Sequence, residues 1–370
     1  MKKRSEDRNE RKGPVSVRIS SAVVWSSILF AILPALAAEG VSPEVPPKAT
    51  AGAEVTALPL PGAASDGVML DYLAVDRARH RVWVPAGGTG NTVVIDTKTQ
   101  EVLRVENFPT VEVERHGQKR MTGPTAASVG DGVVYVGDRA DSSVCAVDAA
   151  TLERAGCVKL ETGLDGVAFV GKRKEVWVTT PRDNAIVVLD VSAPKTPKIA
   201  GTVKLEGAPE GYAVDDGRGF FYTNLEDKDR TLRIDVATRK VVATWMPACG
   251  EEGPRGLALE PAGRLLMVAC TDHVEVLDAG KDGRILSKLD TGKGVDNLDY
   301  LPERRSLYAA AAAAATLTVA HLDENGVLKG TALVATARGA RNAVVDEDGV
   351  AYVADGPEGK ILVVRLAKKR

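Results

Sequence analysis

The sequence predicts an all-β fold, a seven-bladed β-propeller with four-stranded blades, and three observations carry that prediction. The first is a triplet of apolar, bulky and apolar residues repeated seven times: Val82-Trp83-Val84, Val134-Tyr135-Val136, Val176-Trp177-Val178, Phe221-Tyr222-Thr223, Leu266-Met267-Val268, Leu307-Tyr308-Ala309 and Ala351-Tyr352-Val353. Their central residues lie 52, 42, 45, 45, 41 and 44 positions apart. The second is an apolar-Asp pair after each of the first six triplets, at Ile95-Asp96, Val147-Asp148, Leu189-Asp190, Ile234-Asp235, Leu277-Asp278 and Leu322-Asp323. The third is the count of strands. Each copy holds four short apolar runs separated by Gly, Asp or Pro, but the seventh ends at Arg365-Leu366 after three. Four antiparallel strands per 40–45 residues is the period of a propeller blade. The missing outer strand of the last blade is expected from Glu54–Leu60, which would close the ring and leave no open edge.

Taken in order, residues 1–37 read as a secretory signal peptide. Met1 to Arg18 carries seven basic and three acidic residues, Ala22 to Leu36 is apolar apart from Ser26 and Ser27, and Ala35-Leu36-Ala37 has the small-x-small pattern of a cleavage site. An apolar stretch of about 15 residues is short for a membrane span. Residues 38–53, rich in Pro and Ala, read as a linker, and 54–370 as the propeller. Within it, the run Ala309–Ala315 sets two tendencies against each other. Ala is the best helix former and a poor strand former. The repeat places the run at the end of the second strand, a tight turn and the start of the third strand of blade six, as a smooth apolar turn. The longest interval, Trp83 to Tyr135, holds eight to ten extra residues near 108–122, expected as a surface loop or a flap over the channel mouth.

Charge and export limit the function classes. The full chain has a formal net charge of −2. Loss of the +4 signal segment takes it to −6, which argues against a general nucleic-acid binder. Export, to the periplasm or outside the cell, places the chain where disulfides persist. Four cysteines allow three pairings, and the repeat chooses among them. Cys145 and Cys157 face each other across the last hairpin of blade two. Cys249 follows blade four and Cys270 ends the second strand of blade five, both on the channel face.

The copies resemble the YVTN-type repeat of the YncE-like bacterial propellers, most closely at Val134-Tyr135-Val136-Gly137 and Phe221-Tyr222-Thr223-Asn224. Leu307-Tyr308-Ala309-Ala310 departs from it. The resemblance spans about residues 54–366. It implies the propeller fold, and it says little of activity, because propellers host enzymes and pure binding modules alike.

A site is expected where the first strands of the blades open into the channel. Alignment on the triplets puts Asp71, Thr125, Asp165, Glu210, Arg255, Asp296 and Arg341 in one ring, six of the seven charged. The ring reads as a ligand-binding site for a small molecule or a protein, in a monomer with no catalytic residue assigned and no cofactor. Clustered carboxylates shift one another's pKa, which is one mark of a site. The competing reading is a metal-dependent, lactonase-like hydrolase. Lactonase-type six-bladed propellers hold Ca²⁺ in such a channel, and Asp71, Asp165, Glu210, Asp296, Asn297 and Asn342 would supply the oxygens. Against it stand the blade count and the charges of Arg255 and Arg341. Trp83 and Trp177 are expected between blades, not as stacking platforms. His80, His116, His273 and His321 are scattered over different blades, and of these only His273 is expected near the channel face. There is no haem motif, no nucleophile elbow, no tryptophan docking repeat and no adjacent cysteine pair of the kind quinone enzymes use.

Overall fold

A computed structural model describes Thr50, residues 52–115 and residues 117–367. The expected signal peptide lies outside the described residues, as does most of the linker. Alternating apolar runs and turns fold into seven four-stranded antiparallel sheets. Blade one comprises Ala74–Asp76, Arg81–Ala86, Asn91–Asp96 and Val102–Val105. The second strands of the remaining blades are Val133–Asp138, Glu175–Thr180, Phe220–Leu225, Leu265–Ala269, Ser306–Ala311 and Ala351–Asp355, each carrying its triplet. No helix among the described residues is long and apolar enough to cross a membrane.

The closing strand is where the sequence puts it. Glu54–Pro59 pairs antiparallel with Lys360–Arg365, from Glu54 opposite Arg365 to Pro59 opposite Lys360. The first and last blades therefore share one packed seam. Val82, Val84, Val93 and Ile95 of blade one pack with Tyr352, Ala354, Ile361 and Val363 of blade seven. Polar contacts complete it: the Arg77 guanidinium donates to the Val345 carbonyl at 3.0 Å, and Lys98 pairs with Asp348 at 2.7 Å. The end of the linker is held too. Thr50 N–H donates to the Leu333 carbonyl at 2.9 Å, on the outer strand Leu328–Ala335 of blade six.

The bulky triplet residues fill the spaces between blades. Trp83 and Trp177 are wholly buried, and the Trp177 ring lies 4.9 Å from Phe221 of the next blade. Both disulfides form as expected. Cys145 and Cys157 are opposed in register across their hairpin, and Cys249 joins Cys270.

Two expectations are refined. The alanine run is strand through Ala311 and turn from Ala312 to Ala315, and the third strand begins at Thr316, not within the alanines. Sheet wins over helix here because the turn is tied to its neighbours. Ala312 N–H donates to the Gly294 carbonyl, and Ala313 and Ala314 N–H both donate to that of Lys293, each at 3.0 Å. Gly294 lies so close that an added Cβ would sit 2.6 Å from the Ala313 nitrogen. The long insertion is also more regular than a loop: Val111–Arg115 and Gln118–Thr122 form a two-stranded hairpin.

A chain beginning at Pro61, which lacks the closing strand, is expected to melt roughly 5–15 °C lower than one beginning at Thr50 and to associate through the exposed edge of Lys360–Arg365. Differential scanning calorimetry with light scattering checks both. Replacing Cys145 and Cys157 together with Ala is expected to cost about 2–3 kcal/mol by urea titration under oxidising conditions.

Candidate functional site

The loop entering each blade and the turn between its second and third strands lie on one face of the disc. Side chains from both line a cavity of about 620 Å³ at the channel mouth. Six of the seven aligned ring positions line it: Asp71, Asp165, Glu210, Arg255, Asp296 and Arg341. Thr125 does not. It is fully buried, and its hydroxyl has no hydrogen-bond partner among the described residues. Arg139, on the turn after the second strand of the same blade, lines the cavity instead.

That turn supplies a second ring, which the alignment of first strands does not reveal. The residue four positions after each triplet centre is Gly87, Arg139, Pro181, Glu226, Thr271, Ala312 and Gly356. Its two charged members complete ion pairs with the first ring. Arg139 donates to Asp71 at 2.7 Å and also pairs with Asp165, so blade two clamps blades one and three. Arg255 of blade five pairs with Glu226 of blade four, and Arg341 of blade seven pairs with Asp296 of blade six at 3.0 Å. Burial works against the Arg139 charge, but Asp71 and Asp165 outweigh it and raise its pKa.

Glu210 stands apart. No Lys or Arg pairs with it among the described residues. Its carboxylate accepts the Tyr72 hydroxyl at 2.9 Å, and that hydroxyl in turn accepts the Gly211 N–H at 3.2 Å. Tyr72 is buried, hydrogen-bonds through its backbone to Thr125 and Ala127 of blade two, and stacks at 5.4 Å on Tyr212 of blade four. The two rings are nearly parallel, and Tyr72 thereby ties blade one to blade four. Sequence alignment passes over Tyr72, but it leaves a signal. The residues following the ring positions are Tyr72, Ala126, Gly166, Gly211, Gly256, Asn297 and Asn342, so one large ring breaks a column of small or amide side chains.

Electrostatics follow from this burial. Desolvation, and then repulsion from Asp165, Asp71, Asp296 and Glu226, push the Glu210 carboxyl well above its ordinary range. Burial outweighs the Arg139 guanidinium at Asp165 and raises that carboxyl to about 6, with Asp71 and Asp296 adding to the rise. The Asn342 amide donates to the Asp71 carbonyl at 3.0 Å and to its carboxylate at 3.2 Å, which orients Asp71 toward Arg139. Asn297 accepts the Leu298 N–H at 2.9 Å.

The hairpin reaches this mouth. Val113, Arg120 and Met121 line the cavity with Met69 and Leu70 as an apolar and basic wall, while Met121 remains 44% exposed. Gly88 makes the approach possible, because an added Cβ there would lie 2.5 Å from that of Met121. His116 lies outside the described residues. His273 does not line the cavity. It is half-buried, with Nδ1 2.7 Å from Asp272 and Nε2 3.2 Å from Glu275.

The carboxylates do not gather as metal ligands. Among the described residues, one group of three Cys, His, Asp or Glu donors lies within 4.8 Å of one another, Cys270, His273 and Glu275, and it is outside the cavity. Asp71, Asp165 and Asp296 are each held by a guanidinium.

No family model matches the chain, and no curated protein matches it in sequence. Solved structures match in fold. A chain of the mitotic checkpoint complex has a TM-score of 0.67 at 14% identity, covering 93% of this chain and 99% of that one. A chain of Kuenenia stuttgartiensis hydrazine synthase has a TM-score of 0.67 at 16% identity, covering 82% and 97%. The β-propeller domain of Cps50 (Swd1) from Myceliophteria thermophila has 0.65 at 11%, covering 85% and 100%. The chain is a seven-bladed β-propeller. At these identities the likeness carries the fold alone.

Two outcomes follow from the ring. Arg139→Leu strands Asp71 and Asp165 without a cation and is expected to cost about 3–5 kcal/mol at pH 7.5. The loss should shrink at pH 5 as the Asp165 carboxyl protonates, as urea titrations at both values would show. Glu210 has a raised folded pKa, so its contribution to stability is fully present below its unfolded pKa and is lost as pH rises through the folded one. Glu210→Gln is therefore expected to gain on wild type as pH rises, by on the order of 1 kcal/mol at pH 8, with no gain at pH 4. Thermal melts across that range read the difference.

Proposed function

We propose that this chain is an exported, YncE-like binding propeller that takes a small ligand carrying a cationic nitrogen in its channel mouth, beneath the hairpin. The observation that carries this reading is the unmatched carboxylate. Six acidic residues line the cavity (Asp66, Asp71, Asp165, Glu210, Glu226 and Asp296) against four arginines (Arg120, Arg139, Arg255 and Arg341). Arg139, Arg255 and Arg341 are committed to carboxylates, while the Glu210 carboxylate accepts the Tyr72 hydroxyl and pairs with no Lys or Arg among the described residues. An ammonium group placed there meets a preformed acceptor, and it compensates the charge that burial alone penalises. Met69, Leu70, Val113 and Met121 offer an apolar wall for the rest of the molecule. A concave, partly apolar site with a few directed polar groups is the usual form of a small-molecule site.

The same geometry weighs against the hydrolase. A hard cation such as Ca²⁺ takes six to eight oxygens, and here three of the four ring carboxylates would first have to leave their arginines. A protein partner on this face would have to displace or straddle the hairpin.

The test is a thermal-shift series with small alkylammonium compounds, matched neutral amides, dicarboxylates and Ca²⁺, on wild type and on Glu210→Gln. Stabilisation by ammonium compounds alone, growing from pH 5 to pH 8 as Asp165 and Glu210 ionise and lost in Glu210→Gln, is the expected result. Stabilisation by Ca²⁺ that EDTA reverses, and that an Asp165→Ala/Glu210→Ala/Asp296→Ala variant lacks, would overturn it in favour of the metal-dependent reading. Replacing Val111–Thr122 with a short Gly-Ser link is expected to weaken ammonium binding by roughly tenfold, by calorimetric titration, since about 1.4 kcal/mol of wall contact is removed.

A further inference from the structure

Blade five carries a second cluster on the channel face, independent of the cavity. Cys270 directly follows the strand Leu265–Ala269, and His273 and Glu275 stand at the start of the next, His273–Asp278. Their donor atoms lie within 4.8 Å of one another. Cys249 belongs to the same cluster because its sulfur is bonded to that of Cys270. Two sulfurs, an imidazole and a carboxylate thus meet at one turn. Glu275 is fully buried, and one of its oxygens, Oε2, has no hydrogen-bond partner among the described residues. Burying an unpaired carboxylate oxygen is costly, and such an atom calls for an explanation. His273 is oriented as a metal-binding imidazole is. A carboxylate, Asp272, sits 2.7 Å from Nδ1, and Nε2 points into the cluster.

We infer that reduction of the Cys249–Cys270 disulfide opens a zinc site made of Cys249, Cys270, His273 and Glu275, so that the disulfide and the metal are alternative cross-links between blades four and five. Two thiolates with imidazole and carboxylate form a donor set suited to tetrahedral Zn²⁺. The charges close as well. Glu275 is already paired with Lys288. Two thiolates bring −2 and the ion +2, so loading adds no net charge to a buried place. Cys249 is the more exposed of the two sulfur residues and sits in the loop after blade four, so it is the sulfur an incoming thiol would reach.

The chemistry balances. A dithiol donor attacks the Cys249 sulfur, and the S–S bond breaks with Cys270 leaving as thiolate. The donor's second thiol then closes its own disulfide and releases Cys249. Two electrons and two protons pass to the protein. Zinc binding afterwards expels the two thiol protons to solvent.

The test uses the mature propeller carrying Cys145→Ser/Cys157→Ser, so that one dithiol remains. Zinc binding is measured by competition with a chromophoric chelator, before and after reduction with a phosphine that does not bind the metal. The expected result is one equivalent bound by the reduced protein, at least 100-fold tighter than by the oxidised form. Weakening by tenfold or more is expected in His273→Ala and in Glu275→Gln. Cobalt substitution should give a thiolate-to-metal charge-transfer band sized for two sulfurs. Equal affinity in both redox states, or binding unchanged by His273→Ala, would overturn the inference. Circular dichroism covers loss of fold on reduction: recovery on adding zinc supports the site, and failure to recover counts against it. A Cys249→Ser/Cys270→Ser variant that folds and still binds zinc as tightly would also overturn it.

Discussion

Closure of the ring is the constraint on which the rest of this molecule depends. Six short residues, Glu54–Pro59, supply the outer strand of a blade whose other three strands lie more than 280 positions later. Until that pairing forms, blades one and seven have no shared seam. Once it forms, Asp71 lies against Asn342, and Arg77 reaches the Val345 carbonyl. The channel mouth exists only in the closed ring, because its lining is drawn from both ends of the chain.

The mouth is held by a belt of charge that runs between blades. Arg139 joins blades one and three from blade two, Arg255 joins five to four, and Arg341 joins seven to six. Pairs of this kind contribute little net stability, because desolvation offsets the attraction, but breaking one is costly. Their effect is to specify. They hold four carboxylates and leave Glu210, which accepts the Tyr72 hydroxyl, as the acceptor with no cation paired to it among the described residues. The blade-five cluster stands outside this belt and has its own cross-link, which is why the two sites can be tested separately.

The repeat made most of the fold legible, and the reason is physical. Every blade must bury the same two faces, so Trp83, Tyr135, Trp177, Tyr222, Met267, Tyr308 and Tyr352 recur at one register and are all buried. The same register placed both disulfides and six of the seven channel positions. It failed at Thr125 because alignment gives a residue's depth along a strand, not whether its side chain is long enough to reach the axis. It missed Arg139 and Glu226 because only the first strands were aligned, though the column four residues past each triplet held them. It missed Tyr72 because a side chain that crosses the channel leaves no periodic trace, only an exception in a column of small residues.

The sequence by itself determined the blades, their number, the closing strand and the chain's cysteine pairing, because these rest on periodic burial and local turns that each copy repeats. Tertiary structure alone decided which charges neutralise one another. Nothing in the repeat assigns Arg139 to a particular carboxylate, and its pairing with Asp71 and Asp165 depends on where its side chain reaches between blades one and three. It also decided that the insertion at 111–122 is a hairpin leaning over the cavity, since that placement depends on Gly88 letting Met121 approach. Periodicity records what every blade must do, whereas function here comes from the positions at which one blade differs from the others.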